Sequence, residues 1–160
     1  MSELYDATLA FFQEDGWDPR PLSGDSSTFR CAFRGKTDTW LVIVQVLDDR
    51  EAVMCYSVSP YEATRDQLPA AAEYVTRANY GLVAANFELS YEDGDIRVKT
   101  VVDTIELPEG TISSPVFPAM LRQAAYANVL AMEQYLPGLK SVLEGTATPE
   151  QAIAIAEREA

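Results

Sequence analysis

The first part of the chain passes from a helical pattern of apolar residues to a strand pattern. Residues 4–12 carry a wide apolar stripe, which predicts an amphipathic helix that ends near Gly16. The polar run at residues 22–27 predicts a loop. Residues 28–34 then alternate between apolar and polar side chains, as a strand with one buried face does.

Two longer apolar segments follow at residues 39–47 and 52–58, joined by the charged turn 48–51. They do not alternate, so we expect both faces of these strands to be covered. If Trp40 and every second residue after it face the helices, the residues between them face outward. In a hairpin register the outward residues are Leu41, Ile43, Gln45, Met54, Tyr56 and Val58.

A second helix is predicted at residues 66–80. Asp66 is the expected N-cap, and Pro69 lies in the first turn, where its missing N–H is not needed. Gly81 follows the last helical residue, a position that favours glycine.

A hairpin follows this helix. Residues 85–91 and 96–103 flank Asp93-Gly94, a dipeptide favoured in two-residue hairpin loops. Such a loop would place Leu89 opposite Val98, and Glu88 opposite Lys99 on the other face.

A long helix is predicted from Pro115, and Pro137-Gly138 is expected to break or kink it. Thr148 begins a capping box that predicts a short last helix at residues 149–159. The predicted order is α-βββ-α-ββ-α-α. This order indicates an α+β fold in which helices pack mainly on one face of an antiparallel sheet.

Length and composition fit a single domain at residues 1–160, with the last helix as an appendage. The chain carries 12 Lys and Arg against 25 Asp and Glu, a net charge of −13. This charge repels nucleic-acid phosphates and anionic membranes, so we expect neither as a partner. Solubility is the simpler explanation of the charge, and a basic partner is the alternative. Without a signal-peptide or membrane-span pattern, the cytoplasm is the expected location.

The residues that most catalytic and metal sites use are scarce. The sequence has no histidine, which excludes Ser-His-Asp and Cys-His catalytic arrangements and zinc sites of the usual kind. Its two cysteines, Cys31 and Cys55, are predicted to be buried free thiols, and a disulfide would require neighbouring strands. We therefore predict no catalytic, metal-binding or cofactor-binding residues, and no cofactor.

Three blocks of sequence carry a recognisable order of motifs. They are RANYG at 77–81 with NFEL at 86–89, DGDIR at 93–97 with Lys99, Thr100 and Asp103, and YANVL at 126–130 with YLPG at 135–138 and TPEQAI at 148–153. In this order the chain resembles the YbjN-like family over residues 61–156, and its first 60 residues match in element order. The resemblance implies a fold similar to that of type III secretion chaperones, a homodimer, peptide or protein binding, and no catalytic residues.

Two functional hypotheses follow. The first is a homodimeric protein- or peptide-binding module, chaperone-like or regulatory, that uses the outward strand residues as its interface. The alternative for that face is a cover formed by the first or last helix of the same chain. The second hypothesis is a small-molecule-sensing or carboxylate-based enzymatic domain around Asn79, Tyr80, Asn86 and Glu88.

Overall fold

The computed structural model describes residues 1–158. It confirms the α+β class and the predicted order of elements, with one extra strand before the first predicted one. The helices are α1 (Glu3–Glu14), α2 (Leu68–Gly81), α3 (Val116–Leu143) and α4 (Pro149–Arg158). The strands are β1 (Arg20–Leu22), β2 (Asp25–Arg34), β3 (Thr39–Leu47), β4 (Ala52–Val58), β5 (Asn86–Leu89) and β6 (Ile96–Asp103). Glu159, the end of the predicted last helix, lies outside the described residues.

The extra strand lies partly where the sequence predicts a loop at residues 22–27. Leu22 ends β1 and pairs with Asp25, the first residue of β2. Gly24 turns the chain between them with a φ of +85°, a backbone conformation that favours glycine. The prediction was wrong because the start of β2 is polar and exposed, and an exposed strand end has the composition of a loop.

The six strands form one antiparallel sheet in the order β1-β2-β3-β4-β6-β5. Trp40, Val42, Val44 and Val46 alternate along β3 and are all buried, which defines the inner face of the sheet. On this side α1 packs against β3, α2 against β5, and α3 against β4 and β6. The last helix, α4, packs on α2 and α3. The hydrophobic core therefore lies between the inner face and the helices.

The β5–β6 hairpin has a longer loop than predicted. Leu89 pairs with Ile96 rather than with Val98, so the loop spans residues 90–95 instead of Asp93-Gly94 alone. The pairing differs from the prediction by two residues, and because strand side chains alternate with a period of two, each keeps its predicted face. Gly94 has a φ of +78°, and its carbonyl accepts a hydrogen bond from the Ala63 N–H at 2.9 Å. The close fit against Ala63 holds the loop in this form.

Three predicted helix ends also differ in the structure. Gly81 is the last residue of α2 and not the residue after it. Asp66 does not cap α2, which begins at Leu68; Gln67 instead accepts a hydrogen bond from the Thr64 N–H at 2.8 Å. Pro137 does not end α3, which continues as one helix to Leu143. Leu136 before the proline and Leu139 and Val142 after it are buried, so tertiary packing supports this helix on both sides of Pro137.

The predicted capping box of α4 is confirmed. The Thr148 N–H donates to Gln151 Oε1 at 3.1 Å, and the Gln151 N–H donates to Thr148 Oγ1 at 3.2 Å. These reciprocal bonds satisfy backbone donors that the first turn of a helix leaves free. Within residues 1–158, no helix combines the length and apolar character needed to span a membrane.

Candidate functional site

The six residues predicted to point away from the helices share the outer face of β3 and β4. Three cross-strand pairs hold them together: Leu41 with Val58, Ile43 with Tyr56, and Gln45 with Met54. Val101 extends this set on β6, where it pairs with Met54. We call the five apolar side chains and Tyr56 the outer strip, which comprises Leu41, Ile43, Met54, Tyr56, Val58 and Val101.

The outer strip is open to solvent. Leu41 is 41% exposed and Val101 is 49% exposed, whereas Ile43, Met54 and Val58 are half-buried by their neighbours in the sheet. None of these five belongs to the hydrophobic core or to the partly buried residues packed on it. We expected both faces of β3 and β4 to be covered, yet the described helices pack on the inner face.

Tyr56 is the one residue of the outer strip that is largely buried, at 9% exposure. The Arg97 guanidinium lies over its ring, 4.3 Å from the centroid, which is a cation–π contact. Arg97 and Val101 were absent from the predicted face. The alternation of residues 96–103 was the available signal, because a period of two places both on the outer side of β6.

Basic residues surround the outer strip. Cross-strand pairing places five of them on the outer face: Arg20, Arg30, Arg34, Arg97 and Lys99. The same pairing places two acidic residues there, Glu88 and Asp103. Arg20 is itself paired, since its Nη2 lies 2.9 Å from Asp18 Oδ2. The strand positions of the outer face nevertheless have the opposite charge balance to the whole chain, in which 25 acidic residues outnumber 12 basic ones.

Glu88 neutralises much of the positive charge at the β6 side of the outer strip. Its carboxylate accepts from Arg97 Nε at 2.8 Å and from Lys99 Nζ. Burial alone would raise the pKa of Glu88, but the two hydrogen bonds and the two positive charges outweigh it and hold the pKa below its usual range. The carboxylate is therefore ionised at neutral pH and remains paired with both bases.

The β2 side of the outer strip keeps its positive charge. Arg30 pairs across the ladder with Ile43, and Arg34 with Thr39. Both arginines are exposed, and among residues 1–158 no carboxylate lies within ion-pair distance of either. Exposed arginines of this kind are available to pair with the carboxylates of another molecule.

The two cysteines are buried on the inner face and are not bonded to each other. Cys31 lies on β2 and Cys55 on β4, with β3 between them. Burial raises the pKa of each thiol to about 12, so neither is a significant thiolate at neutral pH. In the part of the chain that the structure describes, no group of three or more His, Cys, Asp or Glu side chains could hold a metal ion.

The residues of the second hypothesis are engaged separately. Asn79 Oδ1 accepts from the Phe87 N–H at 2.6 Å, and Asn79 Nδ2 donates to the Phe87 carbonyl at 3.1 Å. Glu88 binds Arg97 and Lys99 on the outer face, and Tyr80 is 96% exposed. Each polar contact of Asn79 and Glu88 therefore has a structural explanation.

Comparison with known proteins gives a family and a related fold. The family model YbjN, described as "Putative bacterial sensory transduction regulator", matches residues 6–139. The match reaches into the first 60 residues, where the motifs alone gave no resemblance beyond element order. No curated protein matches the chain.

Two solved structures are similar to this chain. The crystal structure of "YbjN, a putative transcription regulator from E. coli" has a TM-score of 0.55 at 10% identity. The matched region covers 81% of this chain and 89% of that chain. The crystal structure of an uncharacterized protein from Methanothermobacter thermautotrophicus has a TM-score of 0.41 at 11% identity, with 82% and 98% coverage. At such identity the first of these similarities shows a shared fold.

Proposed function

This chain belongs to the YbjN family, and from that premise we propose that it is a non-enzymatic regulatory module that works by binding a protein partner. The observation that carries the proposal is the outer strip, an apolar surface that the described helices leave open. Apolar surface that stays exposed on a folded protein often marks an interaction site.

The composition of the outer strip supports a protein partner. Its aliphatic residues offer apolar area, and Tyr56 and Arg97 add residue types that are enriched at binding hot spots. The sheet supports these side chains from below, so little backbone ordering is required when a partner binds.

Two narrower forms of this function remain proposals. A chaperone-like role would have the outer strip hold an apolar segment of a client protein until that segment folds or is passed on. A homodimer would have a second copy of the chain cover the outer strip. We favour a different protein as the partner, and the experiment below distinguishes it from a second copy.

The test uses a photo-crosslinking amino acid at two exposed positions. One is Leu41 in the outer strip, and the other is Ile155 on α4, which is exposed on a different element. We expect crosslinks to a second protein from position 41 and not from position 155. Crosslinks from position 41 only to another copy of the chain would favour the homodimer and would overturn a different protein as the partner. Equal crosslinking from both positions, or none, would contradict binding at the outer strip.

Each crosslinked protein is then purified and its affinity measured by calorimetry. The variants Leu41→Asp and Ile43→Asp place a carboxylate in the outer strip, and Ile155→Asp is the matched control. We expect about a tenfold or greater loss of affinity from either strip variant, because the charge must be desolvated on binding. The control variant should bind as the wild type does. Leu41 is more exposed than Ile43, so Leu41→Asp tests the surface if Ile43→Asp fails to fold.

A further inference from the structure

We infer that the partner recognised by the outer strip is an acidic segment, in which carboxylates lie beside apolar side chains. This inference rests on the proposed function and specifies the chemistry of its partner. The inference rests on the difference in charge between the outer face and the whole chain. The chain has a net charge of −13, yet its outer face holds five basic residues and two acidic ones.

The geometry of the outer face places the positive charge at one side of the apolar surface. Arg97 and Lys99 share the carboxylate of Glu88, whereas Arg30 and Arg34 on β2 have none of the described carboxylates within ion-pair distance. Neighbouring strands lie about 4.8 Å apart, so Arg30 is one strand from Ile43 and two from Tyr56. The backbone positions of Arg30 and of these two residues are therefore about 5–10 Å apart.

That spacing fits an extended peptide. Residues i and i+2 of a strand lie on the same face, about 6.6–6.8 Å apart along the chain. A segment crossing the strands could set an apolar residue on Ile43 and an acidic residue on Arg30. Arginine forms bidentate bonds with carboxylates, which gives such a contact direction as well as strength.

A second copy of the chain fits the charges poorly. If two outer faces packed with the two-fold axis along the strands, β2 of one would lie over β6 of the other, and Arg30 and Arg34 would approach Arg97 and Lys99. If the axis ran across the strands, β2 would lie over β2, and the arginines would face each other. Like charges brought together in an interface oppose association. The opposition is stronger in the second arrangement, because Glu88 leaves Arg97 and Lys99 with a net charge of only +1 between the three residues.

Nucleic acid also fits poorly. Affinity for a phosphate backbone grows with the number of phosphates that basic side chains neutralise. The outer strip instead places apolar residues between the β2 arginines and the β6 bases. The rest of the surface is acidic and repels phosphates at longer range.

The test compares three labelled 12-residue peptides by fluorescence anisotropy. All have the same leucines and serines, and their remaining positions are glutamate, glutamine or lysine. A 12-base-pair DNA duplex is the fourth probe. We expect the glutamate peptide to bind the wild-type chain at least about fivefold more tightly than the glutamine peptide, and more tightly than the lysine peptide or the duplex. Raising NaCl from 50 to 300 mM should weaken this binding.

Charge variants then locate the contact. The double variant Arg30→Gln with Arg34→Gln should lower the affinity for the glutamate peptide about tenfold. Its affinity for the glutamine peptide should not change. Arg65→Gln with Arg158→Gln changes the net charge equally at exposed positions outside the sheet and should leave both peptides unchanged. Equal losses from the two double variants would show a general charge effect and overturn the inference.

The remaining outcomes separate this inference from the proposed function. If all three peptides bind equally and Leu41→Asp abolishes their binding, the outer strip binds protein without regard to charge, and only the acidic partner is overturned. If the duplex binds most tightly and the double variant of Arg30 and Arg34 abolishes its binding, the partner is nucleic acid and the inference of an acidic segment is overturned. If Leu41→Asp changes no affinity, the strip itself is overturned as the site. Failure of the glutamate peptide to saturate also counts against the acidic segment.

Discussion

Asn128 shows how one polar residue can fix a helix on a sheet. It is fully buried in α3, and its Nδ2 donates to the carbonyls of Cys55 and Val98, at 2.9 and 3.1 Å, and to Thr100 Oγ1 at 3.2 Å. These acceptors lie on β4 and β6, so a single amide joins the helix to two strands. Its Oδ1 has no hydrogen-bond partner among the described residues.

Asn128→Ala should lower the free energy of unfolding by about 1–2 kcal/mol. Loss of buried hydrogen bonds leaves strand acceptors without this donor, which costs about 1–3 kcal/mol, and removal of the unpaired Oδ1 offsets part of that loss. Urea denaturation measures the difference. Gln123→Ala, at an exposed position of the same helix, is the control and should change stability little. A loss below about 0.5 kcal/mol for Asn128→Ala would show that these bonds contribute little net stability.

The sequence could predict that Asn128 needs a hydrogen bond, but not which groups supply it. Leu130 on α3 is a large apolar residue, yet it is 61% exposed, whereas the smaller Ala125 is buried. The helix is apolar around much of its circumference, so its rotation depends on the sheet beneath it rather than on its own pattern. That rotation selects the partners of Asn128.

At the scale of elements, α2 protects the edge of the sheet. The side-chain amide of Asn79 pairs with both the N–H and the carbonyl of Phe87 on the edge strand β5. A side-chain amide offers the same donor and acceptor as a peptide group. Asn79 therefore makes the two hydrogen bonds that a further strand would make with Phe87. Edge strands without such protection tend to pair with other chains.

Asn79→Ala should speed hydrogen exchange at the Phe87 amide about fivefold or more. Loss of the hydrogen bond removes about 1 kcal/mol from the local opening free energy, which corresponds to that factor. Heteronuclear NMR in D₂O measures the rate. Thr76→Ala, an exposed change on the same helix, should leave the Phe87 rate unchanged. Equal exchange in wild type and Asn79→Ala would mean that burial of this strand, and not the hydrogen bond to Asn79, protects the amide.

The bounds of the central strands were predictable and those at the sheet edges were not. β3, β4 and β6 have the predicted limits, because their long apolar segments end at charged or polar turns. β1 was missed and β5 was predicted too long, because edge strands are short and bury little. The hairpin loop also depends on the contact between Gly94 and Ala63, which a local sequence pattern does not contain.

At the scale of the whole molecule, acidic charge is spread over the surface while the outer face is basic. Composition predicted the net charge of −13 but not this separation, since only cross-strand pairing shows which bases share a face. The six outward residues could be predicted because β3 and β4 pair in a simple hairpin register. Their neighbours on β2 and β6 required the strand order, which the sequence alone did not provide.

Salt should stabilise the folded chain at pH 7. Self-repulsion from a net charge of −13 opposes the compact state, and salt screens it over a distance of about 10 Å at 0.1 M. We expect the melting temperature to rise by about 2–4 °C between 20 and 300 mM NaCl, as a stabilisation of about 1 kcal/mol would give. Calorimetry measures this shift.

The same salt series near the isoelectric point of about 4.3 is the control, because little net charge remains to be screened there. The shift should be smaller at that pH. A melting temperature that falls with salt at pH 7 would show that local ion pairs such as those of Glu88 outweigh the net repulsion.

The two buried thiols allow opening of the sheet to be measured by chemical labelling. Cys31 and Cys55 lie on the strands either side of β3, protonated and out of reach of solvent. A thiol reagent can modify them only after the structure opens, so the labelling rate measures how often each side of β3 separates from the core. Equal rates mean that the sheet opens as one unit. A faster rate at Cys31 means that the β1–β2 hairpin detaches first.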